Sequence, residues 1–128
     1  MTINCRYGFY DDCMVKYGDA TVFNYFTDVF CYMPISAIIG NSVFAVHGGL
    51  SPSISDIDQI RSLNRFNNHS TGSICDLLWS DPADTPGWKE SKRKAGYEFG
   101  SDVSNTFVRE NDIERICRGH QLAVDVSN

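Results

Sequence analysis

Two apolar runs in this chain end in the same way. Residues 42–46 lead into His47-Gly48-Gly49, and residues 113–117 lead into Arg118-Gly119-His120. Short apolar runs bounded by turn residues are the pattern of buried strands. In α/β folds, ligand sites gather beyond the carboxyl ends of such strands. The fold class is therefore expected to be α/β (α+β), with a histidine just past each of two strand ends.

At 128 residues the chain is long enough for one modest core that hides about two-thirds of the unfolded surface. Residues 1–128 are accordingly expected to form a single domain. A net charge of -5 and the lack of a basic stripe exclude a broad nucleic-acid surface. No apolar run approaches the roughly 20 residues needed to span a bilayer, so no membrane partner is expected. The first six residues lack the charged-then-apolar pattern of a secretory signal. Five cysteines, an odd number without a Cys-x-x-Cys pair, point to reduced thiols in the cytoplasm or nucleus. Most of them would serve as small buried apolar groups.

Along the chain, a helix is expected over 8–17, ending at Gly18. A second helix, capped by Asp19, would place Val22, Phe23, Phe26, Val29 and Phe30 on one core-facing stripe. Residues 35–39 and 42–46 form two extended runs around Gly40-Asn41. The Ser53/Asp56 spacing suggests a capping box for a helix over 53–63. Residues 76–79 form a strand candidate, residues 81–96 a long surface loop, and residues 102–111 a helix with Val103, Phe107 and Val108 inward. The last eight residues form no clear element.

Three histidines are present, and His69 falls in a turn-rich segment, where it is read as a surface residue. His47 and His120 are candidate metal ligands, since neutral imidazole is a common one. Glycines beside His47 would let backbone approach a ligand. Arg93 is the best anion clamp within the basic cluster Lys89, Lys92, Arg93 and Lys94, because its planar fork matches phosphate oxygens. The same cluster reads equally as a solvated loop. Gly-x-Ser-x-Gly, His-Glu-x-x-His and phosphate-loop motifs are absent.

Five ordered blocks carry a resemblance. They are Tyr7-Gly8-Phe9-Tyr10-Asp11-Asp12-Cys13, His47-Gly48-Gly49-Leu50-Ser51-Pro52, Asp76-Leu77-Leu78-Trp79-Ser80-Asp81-Pro82, Ala95-Gly96-Tyr97-Glu98-Phe99-Gly100 and Arg118-Gly119-His120-Gln121. Together they resemble the phosphoprotein phosphatase family, in particular its type 2A-like serine/threonine branch. The resemblance implies part of a calcineurin-like metallophosphoesterase fold, a β-sandwich flanked by helices. It also implies a hydrolase of phosphoserine and phosphothreonine in proteins, using two divalent ions (manganese, iron or zinc). By the same resemblance, His47 and His120 match ligands of the second metal and Arg93 matches a residue that grips the substrate phosphate. Arg118 and Gln121 match the frame around the second histidine. Phosphoprotein substrates and regulatory or scaffold subunits are the partners implied.

The sequence departs from that family at Lys92, where proline is usual, at Lys94, where glycine is usual, and at Gly119, where alanine is usual. The loop around Arg93 is therefore expected to differ, and the strand end at Gly119 to be looser. The upstream blocks Gly-Asp-x-His-Gly, Gly-Asp-x-Val-Asp-Arg-Gly and Gly-Asn-His-Glu do not occur. By resemblance these hold the first metal, the bridging carboxylate and the catalytic acid. Two expectations follow. One is the central-to-C-terminal part of a serine/threonine phosphatase with little activity by itself. The alternative is an inactive truncated copy that binds phosphatase regulatory subunits. Open apolar edges are expected at 77–79 and 43–46, and with them poor solubility unless another chain covers them.

Overall fold

The computed structural model describes residues 3–66 and 70–122. His69 and residues 123–128, on which the surface assignment and most of the unstructured tail fall, lie outside the described residues. Among the described residues, no helix is long and apolar enough to cross a membrane. The chain divides into two compact units, residues 1–33 and 34–128.

The first unit is helical: α1 (Ile3–Arg6), α2 (Phe9–Tyr17) and α3 (Thr21–Phe30). Gly18 ends α2 as the pattern predicts, at φ +83°, a left-handed position that glycine occupies without a Cβ clash. The Asp19 carboxylate accepts the Thr21 N–H at 2.8 Å, satisfying one of the orphan donors at the start of α3. Phe23 packs against Phe9 and Tyr10 with ring centroids 5.6 and 5.1 Å apart. The expected core stripe is only half realised, because Phe23 is buried while Phe26, Val29 and Phe30 remain substantially exposed. The rings of Phe26 and Phe30 do meet Phe9, but one short helix cannot cover a stripe this wide.

Among the described residues, the second unit holds two three-stranded sheets and three helices. β1 (Ser36–Ile39) and β2 (Val43–Val46) pair antiparallel, and β6 (Arg115–Arg118) pairs parallel to β2 on its other side. Gly40 and Asn41 lie at φ +57° and +58°, the positive pair a tight primed hairpin turn demands. The second sheet runs β3 (Asp81–Pro82), β5 (Tyr97–Phe99), β4 (Trp88–Glu90). The core joins Phe44 and Val46 of β2 to Leu50, Ile54, Leu77, Phe99, Phe107 and Ile113. Phe44 is fully buried and its ring lies 5.4 Å from that of Phe107; burial of such a side chain is worth about 2–3 kcal/mol.

Four local expectations are corrected. Residues 76–79 belong to a helix, α5 (Ser73–Trp79); an apolar run of four residues carries no period that separates strand from buried helix. The open edges expected at 77–79 and 43–46 do not exist as such, since the first is helical and β2 is the central strand of its sheet. The capping box of α4 (Ile57–Arg61) is made by Asp56 and Gln59, because the Ser53 hydroxyl is engaged with those of Ser51 and Ser73. The long loop expected over 81–96 contains β3 and β4, held by pairing to β5. In addition, only Cys13 and Cys75 of the five cysteines are buried, and Cys117 is exposed. The last helix, α6 (Ser101–Glu110), follows the expected pattern, with Phe107 buried and Val103 and Val108 against the core.

Candidate metal centre

Parallel pairing of β2 with β6 sets Val46 opposite Arg118, so the two strands end side by side. His47 is the next residue after β2, and His120 follows β6 by two. The Gly119 N–H donates to the His47 carbonyl at 3.2 Å, tying the two strand ends together. His120 then sits at φ +66°, a left-handed conformation unusual for a side-chain-bearing residue. This turn places His120 Nδ1 3.1 Å from His47 Nε2, with ring centroids 4.9 Å apart. Trp79, from the end of α5, meets the His120 ring edge-on at 5.4 Å.

The glycines after His47 serve a purpose other than ligand approach. A Cβ on Gly48 would lie 2.4 Å from the Leu78 carbonyl carbon, and one on Gly49 would lie 2.4 Å from the Phe99 ring. Both N–H groups donate to the Leu77 carbonyl. The loop is thus pressed against the protein's own backbone, which fixes where His47 begins.

Arg93 and Arg118 share one carboxylate. Arg93 Nε donates to Asp81 Oδ2 at 2.6 Å, and Arg118 Nη2 donates to Asp81 Oδ1 at 2.7 Å. Among the described residues the terminal nitrogens of Arg93 have no protein partner, and its side chain is 38% exposed. That leaves a guanidinium edge available to an anion. The departures around Arg93 act differently from expectation at Lys94. Its φ of +60° shows that the loop retains a glycine-like conformation even though a lysine occupies the position. Gly119 has open space where a Cβ would stand, and its N–H is bonded, so the strand end is pinned there.

Burial holds the His120 pKa below the ordinary imidazole range; the electrostatic influence of Arg93, His47 and Arg118 acts in the same direction and Asp81 opposes it. That shift favours the neutral form of His120, the form a metal requires. Its Nε2 is enclosed, without a hydrogen-bond partner among the described residues, so Nδ1 is the nitrogen it can offer. The two nitrogens lie at hydrogen-bonding distance, 3.1 Å, so a proton on one of them can bridge the pair. The separation also suits two nitrogens each about 2.1 Å from a common ion. The residues fit two positions of a metal site but not a whole one. Among the described residues no third His, Cys, Asp or Glu joins them, and both oxygens of Asp81 are committed to arginines.

The family of calcineurin-like phosphoesterases matches residues 4–123. The chain belongs to the calcineurin-like phosphoesterase family. A solved structure from Saccharomyces cerevisiae, a protein serine/threonine phosphatase with similarity to human phosphatase PP5, is 34% identical and superposes with a TM-score of 0.84. The match covers 94% of this chain and 38% of that one. For a calcineurin-like phosphoesterase, an imidazole pair beside an anion-ready arginine is chemically consistent, and the mixed α/β architecture is that of the family. Sequence analysis named His47, His120 and Arg93, but it missed Asp81. The signal available was an acidic residue directly before the proline that ends its block, and nothing in the pattern said that two arginines would converge on it.

Proposed function

We propose that this chain contributes one half of the centre of a serine/threonine protein phosphatase. In this reading His47 Nε2 and His120 Nδ1 hold one divalent ion, manganese, iron or zinc, and Arg93 grips the phosphate of a phosphoserine or phosphothreonine side chain. Divalent ions supply Lewis-acid polarisation and water activation to such hydrolyses when bound. The chain's own residues supply position and charge. Burial favours the neutral form of His120, and Asp81 takes the Nε side of Arg93, so its terminal nitrogens stay available to an anion. Asp81 with two arginines leaves the cluster one positive charge, which favours a dianionic ligand.

The observation that carries this reading is the 3.1 Å approach of two imidazole nitrogens from strands 73 residues apart. Likeness to the yeast phosphatase supports the choice of phosphoprotein substrates. With two imidazoles and no carboxylate at the ion, this chain by itself is expected to be inactive. Co-expression with the remainder of the yeast relative's catalytic domain, followed by a phosphoserine-peptide assay with manganese, tests this. Turnover that falls at least about 100-fold in His47→Gln supports the reading. A folded complex without turnover favours the alternative of a binding module for phosphatase subunits, and turnover indifferent to His47→Gln overturns the metal assignment.

A further inference from the structure

Arg118 bonds to a neighbour of each part of the candidate centre without belonging to it. It is the last residue of β6, and its side chain is 15% exposed. Nε donates to the carbonyl of Gly48, the residue after His47. Nη1 donates to Gln121 Oε1 at 2.5 Å, and Gln121 is the residue after His120. Nη2 donates to Asp81 Oδ1 at 2.7 Å and to the Ser80 carbonyl at 3.4 Å. The other oxygen of Asp81 holds Arg93 at 2.6 Å. One planar group thus bonds to the segments that follow both imidazoles and to the carboxylate that aims the phosphate clamp.

We propose that Arg118 is a positioning residue that holds the His47–His120 pair and the Arg93 fork in one fixed register, so that an ion on the imidazoles and a phosphate on Arg93 meet at a set separation. This rests on the functional reading above. The geometry needs three donor directions in one plane, which a guanidinium provides and a lysine ammonium does not. A buried ion pair alone is weak evidence for stability. What distinguishes Arg118 is that its partners lie in three segments, each bearing a different piece of the site. Asp81 has a narrower part, because it bonds to the two arginines but to neither segment that follows a histidine.

That asymmetry makes the test. In the 128-residue chain without metal, NMR would follow the nuclear Overhauser contact between the His47 and His120 rings and the Nε–H resonance of Arg93. Cobalt(II) titration would then report the imidazole pair, and inorganic phosphate titration the Arg93 fork. For Arg118→Lys we expect loss of the ring–ring contact, a shifted Arg93 resonance, and cobalt affinity lower by about 10- to 100-fold. Asp81→Asn keeps an acceptor for Arg118 but loses the charge that holds Arg93. For this variant we expect the ring–ring contact to persist, the Arg93 resonance and phosphate affinity to change, and a loss of cobalt affinity smaller than that in Arg118→Lys. Should Arg118→Lys fail to fold, Gln121→Ala cuts one tie and is expected to alter the ring–ring contact while leaving Arg93 in place. Arg118→Lys with ring contact and Arg93 signal both unchanged overturns the proposal. Equal loss of cobalt binding in both variants overturns it as well. Wild-type chain that binds no cobalt defeats the metal reading, and the metal-free NMR still decides the role of Arg118.

Discussion

At the scale of single residues, the candidate site depends on backbone positions that tolerate no Cβ and on two, Lys94 and His120, that carry a side chain against its conformational preference. Gly48→Ala would force its Cβ to within 2.4 Å of backbone at Leu78. Overpacking of that kind costs about 1–3 kcal/mol, and urea unfolding should register it as a lower midpoint. Gly119→Ala meets no atom within 4 Å and should be close to neutral. At Lys94, φ +60° imposes a cost of about 1–2 kcal/mol on an L side chain. Lys94→Gly is therefore expected to stabilise the fold by up to about 1 kcal/mol after the entropy penalty of glycine is subtracted. Asp76 gives a pH-dependent test. Burial raises its carboxyl pKa, against the Ser51 hydrogen bond at 2.7 Å. A carboxyl with a raised folded pKa contributes stability below its unfolded pKa and loses it as pH rises through the folded value. Asp76→Asn keeps an acceptor for Ser51 and removes that loss. Its stability relative to wild type should rise on going from about pH 4 toward pH 7, measured by urea unfolding at each pH.

At the scale of elements, what was legible from sequence were the segments with strong local signals. The Gly40-Asn41 hairpin and the Gly18 stop of α2 follow from left-handed turn chemistry that no distant contact alters. The strand-then-histidine endings were equally clear. What could not be read depended on partners far along the chain. Residues 73–79 become helix because Ile74, Cys75 and Leu77 are all buried, a pattern with no amphipathic period. β3 and β4 exist because β5 pairs with both, and a two-residue strand has no signature of its own. The cap of α4 moved from Ser53 to Asp56 because three serine hydroxyls bond one another across 20 residues. Asp56→Ala should therefore cost about 1 kcal/mol, whereas Ser53→Ala should leave the helix start intact; helical circular dichroism across a urea series distinguishes the two.

At the scale of the whole molecule, the centre is made by a contact between distant parts of the chain, since Gly119, His120 and Arg118 reach His47 and Gly48 only through the β2–β6 pairing. Replacing Phe44, the fully buried side chain at the middle of β2, with alanine should cost about 3–5 kcal/mol. Cobalt binding should disappear over the same urea range as the fold, because the imidazoles have no other reason to meet. The 73-residue separation of the histidines also sets a clock. At roughly 5–20 residues per second of synthesis, a ribosome takes about 4 to 15 seconds to travel from the first imidazole to the second. Throughout that interval the growing polypeptide carries one imidazole without the other, and the two can face each other only after β6 has emerged and paired with β2.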